Sequence, residues 1–563
     1  MSIILGISNS HNGSVALICD GQVKSAIQAE RISRVKRQAL YLKNDIKLVE
    51  KCVHYCLGAA GFEYSDIEAI ALCTPWKLKK IDDLDLFRYI GGTPKKYKET
   101  LYVPHHFSHM EYIAHYGNLE PGIILVIDGS GSLEKDRLFF NVREDHHTQI
   151  IDHTHFSGKE TISAYWFDGS SSSLIYRFSA SKNSHDKINK STGLLQSIGH
   201  YWEWASLYCC GSRNDAGKVM GLAAFGDVDK MSEETSLSIT DKGKLNLNFI
   251  ELKKKFNDPN ILNLDLSSSK HYQNVALKVQ LETENVILKL LSILKEKYPT
   301  DTLYYSGGVA LNVVANEKIK SSNLFKNVVL NGSVEDNGTA IGAGLAASIK
   351  LGYKRKSSII TDYYGREYKH EEMVKAISNY KFSYKTLTYK ETFEFAADLI
   401  VKEKVFGWFQ GGSEFGPRAL GNRSILANPS SLTTKHVLDH FMKCRDRYRP
   451  YAPVVIEEKA NQYFDIDTSS SVMMRNVKVL DKRLAAITHV DGTARVQTVN
   501  PKDNKNLYLL LLEVEKRTGF PILLNTSFNL PGEPIVESPD DALSSFSRGS
   551  LDNLFLGNVL IFR

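Results

Sequence analysis

The chain has 563 residues, beyond the size at which single hydrophobic cores stop growing, so two or more domains are expected. Hydrophobic residues make up 42% and charged residues 24%, an ordinary globular balance, and no apolar run reaches the about 20 residues of a membrane span. A net charge of +6 is small for this length and speaks against a nucleic-acid binder.

The start, Met1 to Ile7, has no basic region and no small-residue cleavage site, so it is expected to begin a strand rather than a signal peptide. Ile3 to Ser8 reads as a buried strand, Asn9 to Ser14 as a polar turn, and Val15 to Cys19 as a second strand. Asp20-Gly21 predicts a hairpin turn into a third strand, Gln22 to Ala29. Asp45 to Leu57 is helical in pattern, with Cys52 and Cys56 on one face as small buried hydrophobes. The seven cysteines form no C-x-x-C pair, which speaks against a zinc ribbon or redox motif, and their odd number fits a reducing, cytoplasmic setting.

The sharpest local signal is His105-His106-Phe107-Ser108-His109. On a helix beginning after Pro104, His105 and His109 project from one face and could share a metal. The plain alternative is a helix start with internally bonded histidines. Gly122 to Ile127 is then a strand, Asp128-Gly129-Ser130-Gly131 a turn, and Leu138 to Val142 a following strand. This second strand–turn–strand unit suggests a duplicated α/β domain whose turns face a cleft. The histidines and aspartates of Asp145 to His155 are read as a solvated loop, and Tyr201-Trp202-Glu203-Trp204 as core aromatics. Gly217 to Leu222 could approach a nucleotide closely, but by itself it is a weak glycine motif, more often a tight turn.

Asp301 to Lys320 reads as strand, Ser306-Gly307-Gly308, then helix, a junction that lets backbone amides approach a phosphate. Val328 to Ala347 repeats the theme around Asp336-Asn337-Gly338-Thr339. Asp128 and Asp336 thus both follow strands. With the two histidines they make a mixed N/O set suited to Fe(II), Mn(II) or Zn(II), with open positions for phosphate or substrate oxygens. Each aspartate alone is equally a turn former. In the first turn, His11 could act as a base on an acceptor hydroxyl, or bond to backbone.

Leu351 to Lys369 is read as a linker between a domain spanning 1–350 and one spanning 370–563, whose strands include Val405 to Phe409, Tyr451 to Ile456 and Pro521 to Leu524. This second part sets arginine among glycine and proline: Gly416 to Ser424 with Arg418 and Arg423, Lys443 to Pro450 with Arg449, and Arg495 to Thr498. Asn525-Thr526-Ser527-Phe528-Asn529 follows an apolar strand. Guanidinium forks on rigid turns match phosphate oxygens, so a site for one or two phosphorylated small molecules is the natural reading. Asp465-Ile466-Asp467 is read as a surface turn.

Together these segments resemble the NodU/CmcH family of O-carbamoyltransferases. The N-terminal resemblance rests on Ser10-His11-Asn12, Glu30-Arg31, the 105–109 histidines, Val126 to Gly129, Gly217 to Leu222, Ser306 to Asn312 and Asp336 to Gly338. It implies a duplicated ASKHA fold (actin- and Hsp70-like, Kae1-like), as in the universal tRNA threonylcarbamoyl transferase. The C-terminal resemblance rests on Gly416 to Gly421, Arg449 to Pro453 and Asn525 to Asn529, and implies a YrdC-like α/β domain. The family's reaction makes carbamoyl-adenylate from ATP and carbamoyl phosphate, then moves the carbamoyl group to a hydroxyl of a small molecule such as a natural product or sugar. Carried over, His105, His109, Asp128 and Asp336 hold a divalent metal, typically Fe(II), with Mg(II) accompanying ATP. His11 is the acceptor-side base. Gly307, Gly308 and Asn312, with Lys218, attend the adenylate. Lys443, Arg418 and Arg449, with Arg423, Arg495, Asn525 and Ser527, bind carbamoyl phosphate and the ATP phosphates. Asn12 and Ala216 depart from the family, which commonly has acidic residues there. The rival readings are a tRNA threonylcarbamoyl-type transferase and a non-catalytic nucleotide-binding ASKHA protein. A soluble enzyme without nucleic-acid or membrane partners is expected, and a homodimer is compatible with the sequence.

Overall fold

Six buried residues in a row, Ile3–Ser8, form β1, the pattern of a strand covered on both faces. The computed structural model describes the chain outside residues 1, 43, 76–98, 134–157, 181–194, 232–233, 248–268, 357–361 and 444–447. The chain divides into two compact units. One comprises Met1–Ser10, Ile18–Gln22 and Ser65–Ile359, the other His11–Leu17, Val23–Tyr64 and Ile360–Arg563.

After β1 come β2 (Ser14–Cys19) and β3 (Gln22–Gln28), joined by Asp20 and Gly21, both at positive φ as a two-residue hairpin turn requires. The helices α1 (Ala29–Ser33) and α2 (Ile46–Ala60) follow, the latter burying Cys52 and Cys56 as expected. β4 (Ile67–Cys73) lies parallel to β1, and β5 (Glu99–Val103) parallel to β4, giving the order β3-β2-β1-β4-β5. The helix α3 (His105–Ala114) leaves the end of β5. A second sheet then repeats the scheme with β6 (Gly122–Ile127), β7 (Lys159–Phe167) and β8 (Ser172–Ala180). Beyond a small hairpin of β9 (Leu237–Ile239) and β10 (Leu245–Leu247), β11 (Thr302–Ser306) pairs parallel with β6 and β12 (Asn327–Leu330) with β11. Its order, β12-β11-β6-β7-β8, is that of the first sheet, so the duplicated α/β reading holds. The expected strand Leu138 to Val142 lies outside the described residues; the described neighbour of β6 is β7.

Between and after these strands run α4 (Ile198–Cys210), α5 (Ala216–Ala223), α6 (Lys270–Lys297), α7 (Val313–Ser321) and α8 (Gly338–Lys350). The expected glycine turn at Gly217 to Leu222 is instead α5. Lys218, Val219, Met220 and Leu222 carry the stretch as a helix, and Gly217 sits in its first turn, where the cost of glycine is small. The Gly/Ala-rich α8 packs against β1 and α3: a Cβ on Gly342 would lie 1.7 Å from the Ser108 carbonyl oxygen, and one on Gly6 2.0 Å from that of Ala340. Among the described residues no helix is long and apolar enough to cross a membrane.

The second unit is built on a nine-stranded sheet. Its helices are α9 (His370–Ile377), α10 (Tyr389–Val401), α11 (Leu432–Val437), α12 (Lys505–Thr518) and α13 (Pro539–Arg548), besides α1 and α2. The strands are β13 (Ser383–Thr386), β14 (Phe406–Phe409), β15 (Arg423–Ala427), β16 (Ala452–Ile456), β17 (Arg475–Lys478), β18 (Thr493–Val499), β19 (Ile522–Ser527), β20 (Asn553–Leu556) and β21 (Val559–Phe562). They run in the order β13-β21-β20-β14-β15-β19-β16-β18-β17. The period-2 alternation of strand side chains divides the core in two. Phe406, Trp408, Leu426, Val454 and Leu523 pack with α10 and α12, through Phe393, Ala397, Leu507 and Leu511. Phe409, Ile425, Val455 and Leu524 face the other way, with Met373, Leu543 and Phe546 of α9 and α13.

Candidate metal centre and arginine site

Four side chains of the first unit converge at strand and helix ends. His105 opens α3, and its main-chain N–H donates to Ser132 Oγ (2.9 Å). Its Nε2 lies 3.0 Å from Asp128 Oδ2 and 3.3 Å from Asp336 Oδ1. His109, one turn on, places Nε2 3.3 Å from His105 Nε2 and 3.6 Å from Asp128 Oδ2. One ligand atom from each of the four residues falls within 4.8 Å of all the others. Asp128 follows β6 and its Oδ1 accepts from the Gly129 N–H; Asp336 precedes α8 and its carbonyl accepts from Ser8 and Thr339 hydroxyls. Gly307, at φ +93°, lets the turn after β11 press on the Ile127 backbone, and a Cβ on Gly308 would stand 2.8 Å from Asp128 Oδ1. The glycine pair thus braces the Asp128 strand end.

The electrostatics suit a cation. Burial alone would raise the Asp128 carboxyl, but hydrogen bonds from His105 and His109 outweigh it and hold the group well below the usual carboxylate range. Burial likewise opposes a charge on His105, yet Asp336, Cys73 and the hydrogen bond to Asp128 lift it well above an ordinary imidazole. Two imidazole nitrogens facing each other at 3.3 Å cannot both accept or both donate. One cation between them and the two carboxylates lets all four act as donors of electron pairs, so the residues fit a divalent metal of the N/O-ligated kind. His106, between the two, is different: its Nδ1 lies 2.8 Å from Ser163 Oγ. Burial and the neighbouring His105 push it down to about 3, so it stays neutral and packs.

The other expected residues of this half lie apart in role. Asn312 Oδ1 caps α7 by accepting from Ala315 N, and its Nδ2 pairs with Gln280 Oε1 (3.0 Å), so both ends of the amide are used within the protein. Lys218, on α5, places Nζ 3.2 Å from Asp215. His11 is exposed in the turn after β1. Asp145 to Gln149 and Asp152 to His155 lie outside the described residues.

In the second unit, the turn between β14 and β15 carries Arg418. It is folded around Glu414, a residue the sequence did not single out, whose buried Oε1 accepts from the main-chain N–H groups of Leu420 (2.7 Å), Asn422 (2.7 Å) and Arg423 (3.2 Å). Gln497 on β18 donates to Leu420 O (2.7 Å), and Asn525 on β19 to Ala419 O and Gln497 Oε1. Arg418, Arg449 and Arg495 come together here. Burial and the charges of Arg418 and Arg449 push Arg495 down to about 9, still protonated at neutral pH, and its Nε is buried without a hydrogen-bond partner among the described residues. Lys443 Nζ donates to Asn529 O (2.9 Å) and Oδ1 (2.8 Å) and reaches Ser527, joining the two expected residues Lys443 and Ser527. Arg423 turns into the fold. It is fully buried, stacked on Phe409 at 3.6 Å, and its guanidinium donates to the carbonyls of Gln410, Gly411, Asn422 and Glu537. It clamps the turn through these carbonyls. Asp467, in the exposed turn beside Ile466, holds Arg475 at 2.8 Å.

Residues 3–345 match the family model described as carbamoyltransferase N-terminus, and residues 397–563 the model described as carbamoyltransferase C-terminus. Nodulation protein NolNO of Sinorhizobium fredii is 31% identical over 592 residues, covering 98% of this chain and 79% of that protein. The 3'-hydroxymethylcephem-O-carbamoyltransferase of Amycolatopsis lactamdurans is 30% identical over 62% of this chain and 64% of its own length. Among solved structures, full-length HypF in its phosphate- and nucleotide-bound form aligns over 62% of this chain and 56% of that one, at 12% identity and a TM-score of 0.40. The chain belongs to the NodU/CmcH carbamoyltransferase family and is an enzyme that transfers carbamoyl groups.

Proposed function

We propose that the enzyme works in two steps: it forms carbamoyl-adenylate from ATP and carbamoyl phosphate, then passes the carbamoyl group to a hydroxyl of a small molecule. The observation that carries this reading is the gathering of Arg418, Arg449 and Arg495, in which the charges acting on Arg495 are those of two further arginines. Like charges held together and half-buried are stabilised by a bound polyanion, and guanidinium forks match phosphate oxygens. ATP and carbamoyl phosphate are two polyanions that must be brought side by side. In this reading the second unit is the YrdC-like, adenylate-forming part and the duplicated unit the ASKHA-like transfer part. Lys443 and Ser527 orient the carbamoyl phosphate, while the glycine turn at Gly307 and Gly308 leaves room for the adenylate.

A divalent ion, Fe(II) in this reading, would be held by His105, His109, Asp128 and Asp336 and would supply charge neutralisation at the adenylate phosphate. In this reading His11 takes the proton of the attacking hydroxyl, imidazole being the side chain suited to proton transfer near neutrality. The cephem carbamoyltransferase relatives favour a small-molecule acceptor over tRNA.

The test is pyrophosphate and AMP formation by the purified protein. Pyrophosphate should appear from ATP only when carbamoyl phosphate is present; its absence under those conditions would refute the two-step reading. Arg449→Ala should abolish this release, and His109→Ala should leave it intact while blocking transfer.

A further inference from the structure

His105 is anchored from behind by a sulfur. Its Nδ1 lies 3.5 Å from Cys73 Sγ, within hydrogen-bond range for sulfur, and both residues are fully buried. The Nε2 atom is the one turned to Asp128, Asp336 and His109, so the ring proton belongs on Nδ1, facing the sulfur. Cys73 closes β4 and is itself fixed: its carbonyl accepts from Asn9 N (2.8 Å). The next carbonyl, Thr74 O, accepts from Ser132 Oγ, which in turn accepts from His105 N. Backbone and ring of His105 are therefore tied to the same strand end. His109 is not held this way, since its Nδ1 is buried with no hydrogen-bond partner among the described residues.

We propose that Cys73 is a positioning residue of the centre: its sulfur accepts the Nδ1–H of His105 and holds Nε2 turned toward the two carboxylates. This inference rests on the metal reading given above. The partner of a metal-bound histidine sets its tautomer and ring orientation, and losing that partner typically weakens metal binding ~10- to 100-fold. A thiol sulfur is a weaker acceptor than a carboxylate. It orients the ring while adding little electron density, which leaves more of the cation's charge for substrate oxygens.

Co(II), added alone to chelator-treated full-length protein, provides the probe, read by its visible absorption and by titration. Cys73→Ala and Cys73→Val, the second of which fills the sulfur's volume without an acceptor, should both weaken Co(II) binding ~10-fold or more. Cys73→Ser, which keeps an acceptor, should stay within about threefold of wild type and retain most of its Co(II) spectrum. Wild-type affinity in Cys73→Val overturns the inference, as does an equal loss in all three variants, which would report packing alone. If the wild type itself binds no Co(II), the metal reading fails and this inference fails with it; binding by wild type and Cys73→Val alike sinks the inference and leaves the metal reading standing.

Discussion

Glu414 gives the Arg418 turn its shape. Three main-chain N–H groups donate to one buried carboxylate oxygen, so the loop that carries Arg418 closes on a negative charge. Removing the acceptor leaves three donors unsatisfied, at a cost of about 1–3 kcal/mol each where they stay buried. Glu414→Ala should therefore displace the turn and lower carbamoyl-phosphate-dependent pyrophosphate formation at least ~100-fold, as misplacements near 1 Å do. Glu414→Gln retains an acceptor oxygen and should keep more of the activity; equal activity in Glu414→Ala and wild type would dismiss the carboxylate's role. Arg418 and Arg449 were legible in the sequence because glycine and proline mark rigid turns around them. Glu414 was not, being one of 64 acidic residues whose meaning arises only when the chain folds back over it. Arg418 and Arg423 looked alike for the same reason. One sits on the turn; the other points inward from β15 and is saturated by carbonyls.

At the scale of elements, the candidate metal centre depends on how closely α3 and α8 approach. Histidine spacing on a helix and aspartates after strands could be read from sequence, since both patterns are local. The closeness of the two helices could not, because it depends on which small residues meet. Gly342 faces the Ser108 carbonyl so tightly that a methyl group would overlap it at 1.7 Å, and that contact lies one residue from His109. Gly342→Ala should lower the melting temperature, as overpacking typically costs ~1–3 kcal/mol, and should weaken Co(II) binding by moving His109 away from Asp336. Gly58→Ala provides the comparison. Gly58 lies inside α2 with nothing within 4 Å of an added Cβ, so the same substitution there should raise stability by about 0.5–1 kcal/mol. Calorimetry of both variants separates the cases: a Gly342→Ala protein as stable as wild type would mean the helices can part freely.

For the whole molecule, the duplication explains where the residues of the candidate centre come from. His105 opens the helix after the fifth strand of the first sheet, and Asp336 precedes the helix after the fifth strand, β12, of the second. Equivalent helix ends from two copies of one scheme thus meet at the centre, and Asp128 is added from the first turn of the second copy. The second unit, in contrast, draws in Val23–Tyr64, a stretch that nothing in its composition links to residues more than 300 positions later. The connections are made by folded geometry alone. Ala26 N donates to Tyr364 O, and the fully buried Arg31 donates to Gly416 O (2.8 Å), while Gln28 Oε1 accepts from Gly416 N (3.0 Å). Arg34 donates to Pro534 and Ile535 carbonyls, and the Tyr55 hydroxyl bonds Glu537. The base of the Arg418 turn is therefore held by an early segment of the chain. Residues 360–563 expressed alone should lose these supports, exposing the buried Glu537 and freeing Gly416, and should make no pyrophosphate from ATP and carbamoyl phosphate. In the full-length chain, Arg31→Ala should reduce pyrophosphate formation ~10-fold or more, in line with the sensitivity of such sites to small displacements, yet leave Co(II) binding at its wild-type value. A fragment that is monomeric and fully active would show that the second unit is self-sufficient, and loss of Co(II) binding in Arg31→Ala would mean that the substitution unsettles far more than one turn.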